Sequence, residues 1–423
     1  MNLRRAWFAV GFGILTLAAC GEPADPAHIG APSFAAGGVG RPAVLVNPNA
    51  NDNGTAKTIQ EGIDMVAEGG TVMVLPGTYD EALVIAKGLT LEAIDENGGP
   101  VVVAPTGTPA AAALVATSSP VTIRGLTVHS TGANGIRGEG VVDVTAERVQ
   151  VLAVNPPLGA SSLVAVFNDA RTTGGRARLT VRRSFLDGTV PPANSPTPPF
   201  PQVFGIRVQG DVDALLEENV IRRTGGACIY VVTRNDFGGE TNADILKNDL
   251  DECYPLQRQG SVLVIFPVVP TTPVTVTGVV NIVGNSIRNS SHSCLPTTAI
   301  SQNFASGRIE HNRILDVVQP CATATNTRNP AALWIGSFSS AIPPVSPIVR
   351  FNDIEGNAHA GLRVAPNITT PLDTRCNWWG SAGGPAVGTD PPGSDIVLEA
   401  GAAAPTFMPF ATTPIAETDA TGC

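Results

Sequence analysis

Charge and aromatic side chains are scarce in this chain. Charged residues make up 15% of the 423 residues and aromatic residues 5%. Acidic residues outnumber basic ones, and the formal net charge is −10. Because an acidic protein repels phosphate backbones, the composition argues against nucleic acid as a partner.

Long uninterrupted helices are also not expected. The chain has 45 glycines and 36 prolines, and its valines and isoleucines occur in short runs, a composition that favours an all-β protein. Beyond the N-terminus, no apolar run is long enough to span a bilayer.

The first residues are interpreted as a processing signal. A basic start precedes the uncharged stretch Ala6–Ala19, which is too short to cross a bilayer and closes on small residues. The closing LAAC sequence, which ends at Cys20, resembles the lipobox of bacterial lipoproteins. This resemblance implies a signal peptide over residues 1–19 and lipidation of Cys20. The alternative is an ordinary secretory signal with a chance cysteine.

A lipid anchor would place the protein in the bacterial cell envelope, bound to a membrane through its N-terminus. Gly21 follows the cysteine where aspartate would signal retention at the inner membrane, so the resemblance favours the outer membrane. The Gly-, Pro- and Ala-rich residues 20–42 are predicted to be a flexible tether. Residues 43–410 would then form the folded domain, and residues 411–423 a C-terminal tail.

The cysteines after Cys20 predict disulfides, since they are six in number and an exported chain is in an oxidising compartment. None lies in a CxxC or beside a histidine at ligand spacing, which argues against a zinc site. Intervals of 25 and 27 residues separate the first two cysteines and the next two, close to one repeat of the solenoid described below. The predicted pairs are Cys228 with Cys253, Cys294 with Cys321, and Cys376 with Cys423.

The domain is predicted to open with a capping helix. Thr58 and Glu61 form a capping box, and apolar side chains from Ile59 to Ala67 recur on one face. Gly69–Gly70 is expected to end the helix. An amphipathic helix ahead of short strands would cover the open end of a solenoid, where strand edges are unpaired.

A loose repeat, an asparagine followed two residues later by Ile or Leu, runs through the second half of the domain. The asparagines are 29, 37, 27, 40 and 25 residues apart, an interval typical of a solenoid with loop insertions. We expect them to lie at one corner of successive coils, in the left-handed region, and to bond to one another as a ladder. They are Asn219, Asn248, Asn285, Asn312, Asn352 and, in a Trp-containing variant, Asn377.

A second repeat consists of short strands entered from a small residue, such as Gly205–Val208. The Ile or Leu of each strand should face the core, and the next residue the solvent. Stacked in register, these outward residues would form a column of cations and aromatic rings, which suit carboxylates and the apolar faces of sugars. The predicted ligand-binding residues are Arg137, Arg207, Tyr230, Trp334 and Arg363, with Ser301 in the same column.

Both ends of the domain resemble a known superfamily. Val46–Thr55, the capping box and Gly70–Glu81 resemble the N-terminal cap of the pectin-lyase-like, right-handed parallel β-helix superfamily. Asn377–Ser381 with Gly384–Pro385 is similar to the terminal signature of many bacterial repeat proteins of this type, and its tryptophans are expected to pack the last coil. The resemblance implies a single right-handed parallel β-helix. It implies no one function, since the fold hosts several enzyme classes and binding proteins.

The catalytic motifs of that superfamily are missing from the sequence. The closest match to the pectin methylesterase aspartates, Asp236–Gly238, has no apolar strand after it. The Asp-Asp, Gly-His-Gly and Arg-x-Lys motifs of polygalacturonases are absent, as is the Arg-x-Pro-x-x-Arg segment of pectate lyases. No catalytic residue is therefore predicted.

A column of mixed charge is expected three residues after the ladder position, with Ser184 standing in for asparagine on the earlier coil. Opposite signs in one column favour a solvated ion-pair face over paired carboxylates. Calcium there, or in residues 47–53, is the alternative, and no cofactor or metal ligand is assigned. The column comprises Asp187, Arg222, Asp251, Arg288 and Glu355.

The sequence thus predicts an exported, lipid-anchored β-helix protein that binds polysaccharide, in particular an anionic glycan, along one sheet. One alternative is a lyase, epimerase or other carbohydrate-active enzyme whose site forms no linear motif. Another is a structural or adhesion module with a protein partner. Clustered carboxylates beside one basic residue would favour the enzyme. A flat face of arginines and aromatic rings would favour the binding protein.

Overall fold

The computed structural model describes one compact unit within residues 40–423. The described residues exclude 51–54, 95–98, 157–159, 190–201, 233–238, 254–259, 266–277, 291–297, 304, 318–330, 337–346, 358–359, 389–394 and 416–422. The predicted signal peptide, Cys20, nearly all of the tether, Asp236–Gly238, Cys294 and Cys321 lie outside the described residues. Among the residues described, no helix has both the length and the hydropathy needed to cross a bilayer.

Three parallel sheets wind around a common core. Each coil of the chain contributes one strand to sheet A, then one to sheet B, then one to sheet C, and the next coil adds the neighbouring strand to each. Sheets A, B and C contain 11, 10 and 12 strands among the described residues, and the pairing is parallel throughout. This architecture confirms the predicted all-β, right-handed parallel β-helix.

The strand bounds show how short each pass across a sheet is. Sheet A comprises Arg41–Val46, Val66–Val74, Leu89–Ala93, Pro120–Arg124, Asp143–Glu147, Ala177–Arg182, Val212–Glu217, Thr241–Leu246, Val280–Val283, Arg308–Glu310 and Ile348–Arg350. Sheet B comprises Gly77–Tyr79, Val101–Val103, Thr127–Ser130, Gln150–Ala153, Phe185–Asp187, Val220–Thr224, Asp249–Cys253, Ser286–Arg288, Arg313–Leu315 and Asp353–Glu355. Sheet C comprises Leu83–Ile85, Ala113–Val115, Asn134–Glu139, Ala160–Asn168, Gln202–Gly210, Ile229–Val232, Gly260–Ile265, Thr298–Asn303, Ala331–Gly336, Ala360–Val364, Val387–Gly388 and Ile396–Leu398. The helices are Ile59–Met65 and Ala170–Thr173.

The capping helix forms where predicted but is shorter. It ends at Met65, and Val66 already begins a strand of sheet A, so Gly69 and Gly70 lie within that strand instead of ending the helix. The strand pairs with Arg41–Val46, the first strand, which begins inside the predicted tether. The backbone N–H and C=O groups after Met65 are satisfied by pairing with this neighbouring strand, so they do not need a longer helix to supply their hydrogen bonds.

Two side chains bond the backbone amides at the start of this helix. Thr58 Oγ1 accepts from the amide of Glu61 at 3.1 Å, as the capping box predicts. The Glu61 carboxylate accepts from the amide of Lys57 at 2.8 Å instead of from that of Thr58. The carboxylate of Glu81, from farther along the chain, accepts from the amides of Ile59 and Gln60 at 2.7 and 2.8 Å. The helix N-terminus, which favours negative charge, is thereby joined to the first coil.

The small residue that was expected to precede the sheet C strand lies within it, as Gly205 does in Gln202–Gly210, and marks a close approach between coils. A Cβ atom at Gly205 would lie 2.3 Å from the carbonyl oxygen of Cys228 and 2.5 Å from Cγ2 of Ile221. Cys228 belongs to the following coil, so no larger side chain fits at Gly205 without moving its backbone. The small residue of the second repeat is therefore explained here by the lack of space between neighbouring coils.

The repeated asparagines form one continuous ladder inside the coil. Each side-chain Nδ2 donates to the Oδ1 of the next asparagine at 2.9–3.0 Å, from Asn219 through to Asn377. Each Oδ1 beyond Asn219 also accepts from the preceding asparagine's backbone amide, and each Nδ2 also donates to a backbone carbonyl. Ser184 stands at the N-terminal end, where its amide donates to Asn219 Oδ1 at 3.1 Å. All six asparagines are at most 1% exposed.

The sequence predicted that the asparagine itself would take the left-handed corner conformation. In the structure, the residue before it takes this conformation instead. Positive φ angles of 50–70° occur at Glu218, Lys247, Gly284, His311, Phe351 and Cys376, each immediately ahead of a ladder asparagine. The corner residue turns the backbone so that the asparagine side chain points into the core. Because its own side chain faces outward, the corner accepts several residue types, whereas the ladder requires a carboxamide.

Both predicted disulfides that lie within the described residues are present. Cys228 and Cys253 lie in adjacent coils with Cα atoms 5.6 Å apart, and both are fully buried in the core. Cys376 and Cys423 also have Cα atoms 5.6 Å apart, and this bond ties the C-terminus to the last ladder position. Trp378 and Trp379 are 8% and 3% exposed and pack the last coil, as expected from the sequence.

Replacing a central ladder asparagine should destabilise the fold strongly. In Asn285→Ala, the amide of Asn248 and the carbonyl of Ile245 lose their side-chain partner, so we expect the free energy of unfolding to fall by about 3 kcal/mol. Chemical denaturation measures the change. The control Asn281→Ala removes an outward amide bonded to Asp244 and should cost less than about 0.5 kcal/mol. Equal losses in the two variants would contradict a stabilising ladder.

Candidate functional site

The predicted ligand-binding residues share one column on the outer face of sheet C. In successive strands, each residue of the column lies opposite the next in the parallel register. Their side chains alternate with the inward Ile, Val and Leu of the core, so they point away from the coil interior. This sheet C column comprises Arg137, Ala165, Arg207, Tyr230, Leu263, Ser301, Trp334 and Arg363.

The column is open to solvent over only part of its length. Arg137, Arg207 and Tyr230 are half-buried, whereas Ser301, Trp334 and Arg363 are 1%, 9% and 6% exposed. The prediction that all of these side chains face solvent is therefore wrong for the last three.

Two features accompany the burial of this half of the column. Ala331, Ala360 and Val397, on three neighbouring strands of sheet C, form a small apolar cluster separate from the main core. Arg363 Nη1 lies 3.8 Å from Glu399 Oε1, so its charge has a partner within the protein. Pointing out of a β-helix is thus not the same as being exposed, and we do not place a binding surface on Trp334 or Arg363.

The open half holds an aromatic ring that the sequence repeat did not single out. The guanidinium carbons of Arg137 and Arg207 each lie 5.0 Å from the centroid of the Phe167 ring. Phe167 is on the strand between them, two residues after Ala165 and so on the same face. Strict alternation extended by two residues would have identified it, because the repeat located only the first outward position of each strand.

A second ring, that of Tyr230, extends the same surface. It stacks on the ring of Phe204, with centroids 5.1 Å apart and planes 24° apart. Phe204 itself is 6% exposed and packs with Ala227 and Leu263, so it supports Tyr230 and is not part of the open surface. The Arg207 guanidinium carbon lies 5.5 Å from the Tyr230 centroid, a cation–π distance. We call the surface formed by Arg137, Phe167, Arg207 and Tyr230 the arginine–aromatic patch.

Each arginine of the patch also has a polar partner two residues later on its own strand. Arg137 pairs with Glu139, whose side chain is 46% exposed. Arg207 Nη2 donates to Gln209 Oε1 at 2.6 Å. One arginine is therefore neutralised by a solvent-exposed carboxylate, and the other is bonded by a neutral amide.

The mixed-charge column expected on sheet B is an ion-pair face. Asp187, Arg222, Asp251 and Arg288 lie opposite one another in successive strands. Arg222 Nε lies 3.1 Å from Asp187 Oδ2, and Arg288 Nη2 lies 3.2 Å from Asp251 Oδ2. Glu355, farther along the column, accepts from Trp378 Nε1 at 3.1 Å. These carboxylates thus serve as partners for cations and donors of the fold.

No metal-binding cluster accompanies this column in the part of the chain that the structure describes. There, no three His, Cys, Asp or Glu side chains come together in a group that could hold a metal ion. The other segment considered for calcium, residues 47–53, lies partly outside the described residues.

Asp187 is the most enclosed carboxylate of the sheet B column, with a side chain 2% exposed. Burial acts to raise its pKa, but hydrogen bonds from Arg223, the Thr189 amide and Arg222 outweigh this effect and hold the pKa below its ordinary value. A carboxyl group whose pKa is lowered on folding stabilises the protein above its unfolded pKa, and this contribution is lost as the pH falls through the folded pKa.

Comparison with known proteins finds similarity among solved structures alone. No protein-family model matches it, and no curated protein is significantly similar. Among solved structures it is similar to the Dettilon tailspike protein (gp208), at 11% identity and a TM-score of 0.44, covering 84% of this chain and 68% of that one. It is also similar to YbhC of Escherichia coli, at 14% identity and a TM-score of 0.33, covering 77% and 78%. Similarity at this level supports no inference about ligand or reaction.

Substituting Asp187 should produce a stability loss that depends on pH. At pH 7, Asp187→Asn should lower the free energy of unfolding by about 2 kcal/mol, because two arginines lose a buried anionic partner. Denaturation at a series of pH values should show the difference from wild type beginning to shrink below about pH 4, where Asp187 of the unfolded chain is protonated, and reaching its minimum only once the pH is also below the lower folded pKa. Asp143→Asn, which removes a weaker pair at 3.8 Å to exposed Arg178, is the control. A loss in Asp187→Asn that is constant with pH would contradict this account.

Proposed function

We propose that this protein binds an anionic polysaccharide on the outer face of sheet C, through the arginine–aromatic patch. The observation that carries the proposal is the pair of guanidiniums gathered around Phe167, with the Tyr230 ring, which stacks on buried Phe204, beside them. A guanidinium presents a planar fork of donors that matches a carboxylate or sulfate group, and aromatic rings accept the apolar face of a pyranose.

The architecture of the patch suits an extended polymer. Its residues come from consecutive parallel strands, so equivalent side chains recur at roughly 4.8 Å intervals along the coil axis. A sugar chain laid along that axis meets one strand after another and needs no deep pocket. Because the protein is negatively charged overall, an anionic polysaccharide is attracted only to places where arginines are concentrated.

We further propose that the mature chain is anchored to the outer membrane by lipid on Cys20. The LAAC sequence and the following Gly21 support this proposal. Metabolic labelling with a fatty acid should mark the wild-type protein and not Cys20→Ser, and the labelled protein should fractionate with the outer membrane. A label retained in Cys20→Ser would contradict lipidation at this residue.

Binding should depend on Arg207. We expect Arg207→Ala to weaken binding of acidic oligosaccharides by about tenfold or more, since a charge-assisted bond is lost. Titration calorimetry against a panel of acidic and neutral glycans measures the effect, with circular dichroism to confirm folding. Arg178→Ala is the control, because it removes the same charge from an outward side chain of sheet A that is 72% exposed.

The outcomes of this titration separate the candidate functions. Equal affinity in Arg207→Ala and wild type would contradict binding at the arginine–aromatic patch. Following absorbance at the ultraviolet edge in the same mixtures detects unsaturated sugar products, whose release would support a polysaccharide lyase instead.

A further inference from the structure

The order of residues along the patch carries information about the ligand, provided that the proposed glycan binding is correct. We infer that the glycan runs parallel to the coil axis and carries its negative charge on alternate sugars. A polymer of disaccharide repeats, one sugar acidic and the other neutral, has this property.

Charge and aromatic surface alternate from strand to strand. Four consecutive strands of sheet C place Arg137, Ala165, Arg207 and Tyr230 at equivalent positions. The first and third are cations, and their Cα atoms are two strand spacings apart, roughly 9.5 Å. The second strand presents the Phe167 ring, two residues beyond Ala165, and the fourth presents the Tyr230 ring. The surface thus reads cation, ring, cation, ring.

This alternation matches a disaccharide period. One pyranose in an extended chain advances the polymer by about one strand spacing, so successive sugars meet successive coils. Acidic sugars then fall opposite Arg137 and Arg207, and neutral sugars lie against Phe167 and Tyr230. A homopolymer with a carboxylate on every sugar would place half of its charges against these rings and would have to desolvate them without a matching cation.

Glu139 occupies the position that a ligand carboxylate would take at Arg137. It pairs with this arginine from a side chain that is 46% exposed, and such exposed pairs contribute little and exchange readily. The Arg137 side chain is itself 27% exposed, so a ligand carboxylate can approach the guanidinium that Glu139 now contacts. Glu139 therefore competes with the ligand carboxylate for the Arg137 guanidinium at one end of the patch.

The experiment compares probes that differ in how often they carry charge. The full chain is titrated with hyaluronan oligosaccharides, in which glucuronate alternates with N-acetylglucosamine, with oligogalacturonate of the same length, and with carboxyl-reduced hyaluronan. We expect the alternating probe to bind about tenfold more tightly than either of the others. Tighter or equal binding of oligogalacturonate would overturn the alternation while leaving the proposed anionic-glycan function in place. Failure of every acidic probe would overturn both.

A variant tests the competing carboxylate independently. Glu139→Gln should raise the affinity for the alternating probe about threefold, because the ligand no longer displaces a charge from Arg137. Asp213→Asn is the matched control: it removes one charge from a 44% exposed side chain on sheet A that pairs with Arg176. An unchanged or lower affinity in Glu139→Gln, or an equal gain in Asp213→Asn, would overturn the role assigned to Glu139.

Discussion

The structure depends on the register between successive coils, and the asparagine ladder fixes that register. Each ladder carboxamide bonds backbone groups of the preceding coil, and each except the last also donates to the carboxamide of the next coil, so the corners from Ser184 to Asn377 are tied together. Because side chains alternate across a strand, a slip of one residue would turn a core face outward. A buried row of amides that are satisfied only in register makes such a slip costly.

Once the register is fixed, residues far apart in sequence become neighbours, and each outer face acquires its own chemistry. On sheet A, Glu147 lies between Arg124 and Arg182, at 3.1 and 3.3 Å. Arg176, just ahead of a sheet A strand, bonds Asp211 and Asp213, at 2.8 and 3.0 Å. Sheet B likewise carries paired charges. On sheet C, two arginines from strands on either side of Phe167 converge on its ring, and this gathering of cations around one partly exposed ring makes that face the candidate surface for recognition.

The two ends of the coil are closed by different means. At the N-terminal end, the short helix Ile59–Met65 covers the first coil and is bonded by Glu81. At the other end, the C-terminal segment lies against the last coil: the amide of Thr406 donates to the carbonyl of Leu372 at 2.8 Å, and that of Cys376 donates to Pro409 at the same distance. The Cys376–Cys423 disulfide holds this arrangement. Both devices satisfy strand edges that would otherwise offer a template for aggregation.

The sequence by itself determined the features that repeat. The asparagines and the small residues before Ile or Leu each follow from one local requirement that recurs on successive coils. The cysteine intervals match the length of one coil, and the capping box is a local signal for the start of the helix. Such periodic requirements are visible without knowing which coils touch. The fold, the ladder and the described disulfides could therefore be predicted.

Tertiary structure decided what lies outside the coil. The ladder spacing did not show that the residue before each asparagine takes the left-handed conformation, since a corner such as Glu218 has no distinctive side chain. Alternation could have put Phe167 on the outward face, but neither the burial of Trp334 and Arg363 nor the approach of two guanidiniums to the Phe167 ring could be predicted. Alternation along a strand tells which way a side chain points, but its exposure and partners depend on residues one or two coils away, and only the folded chain brings those together.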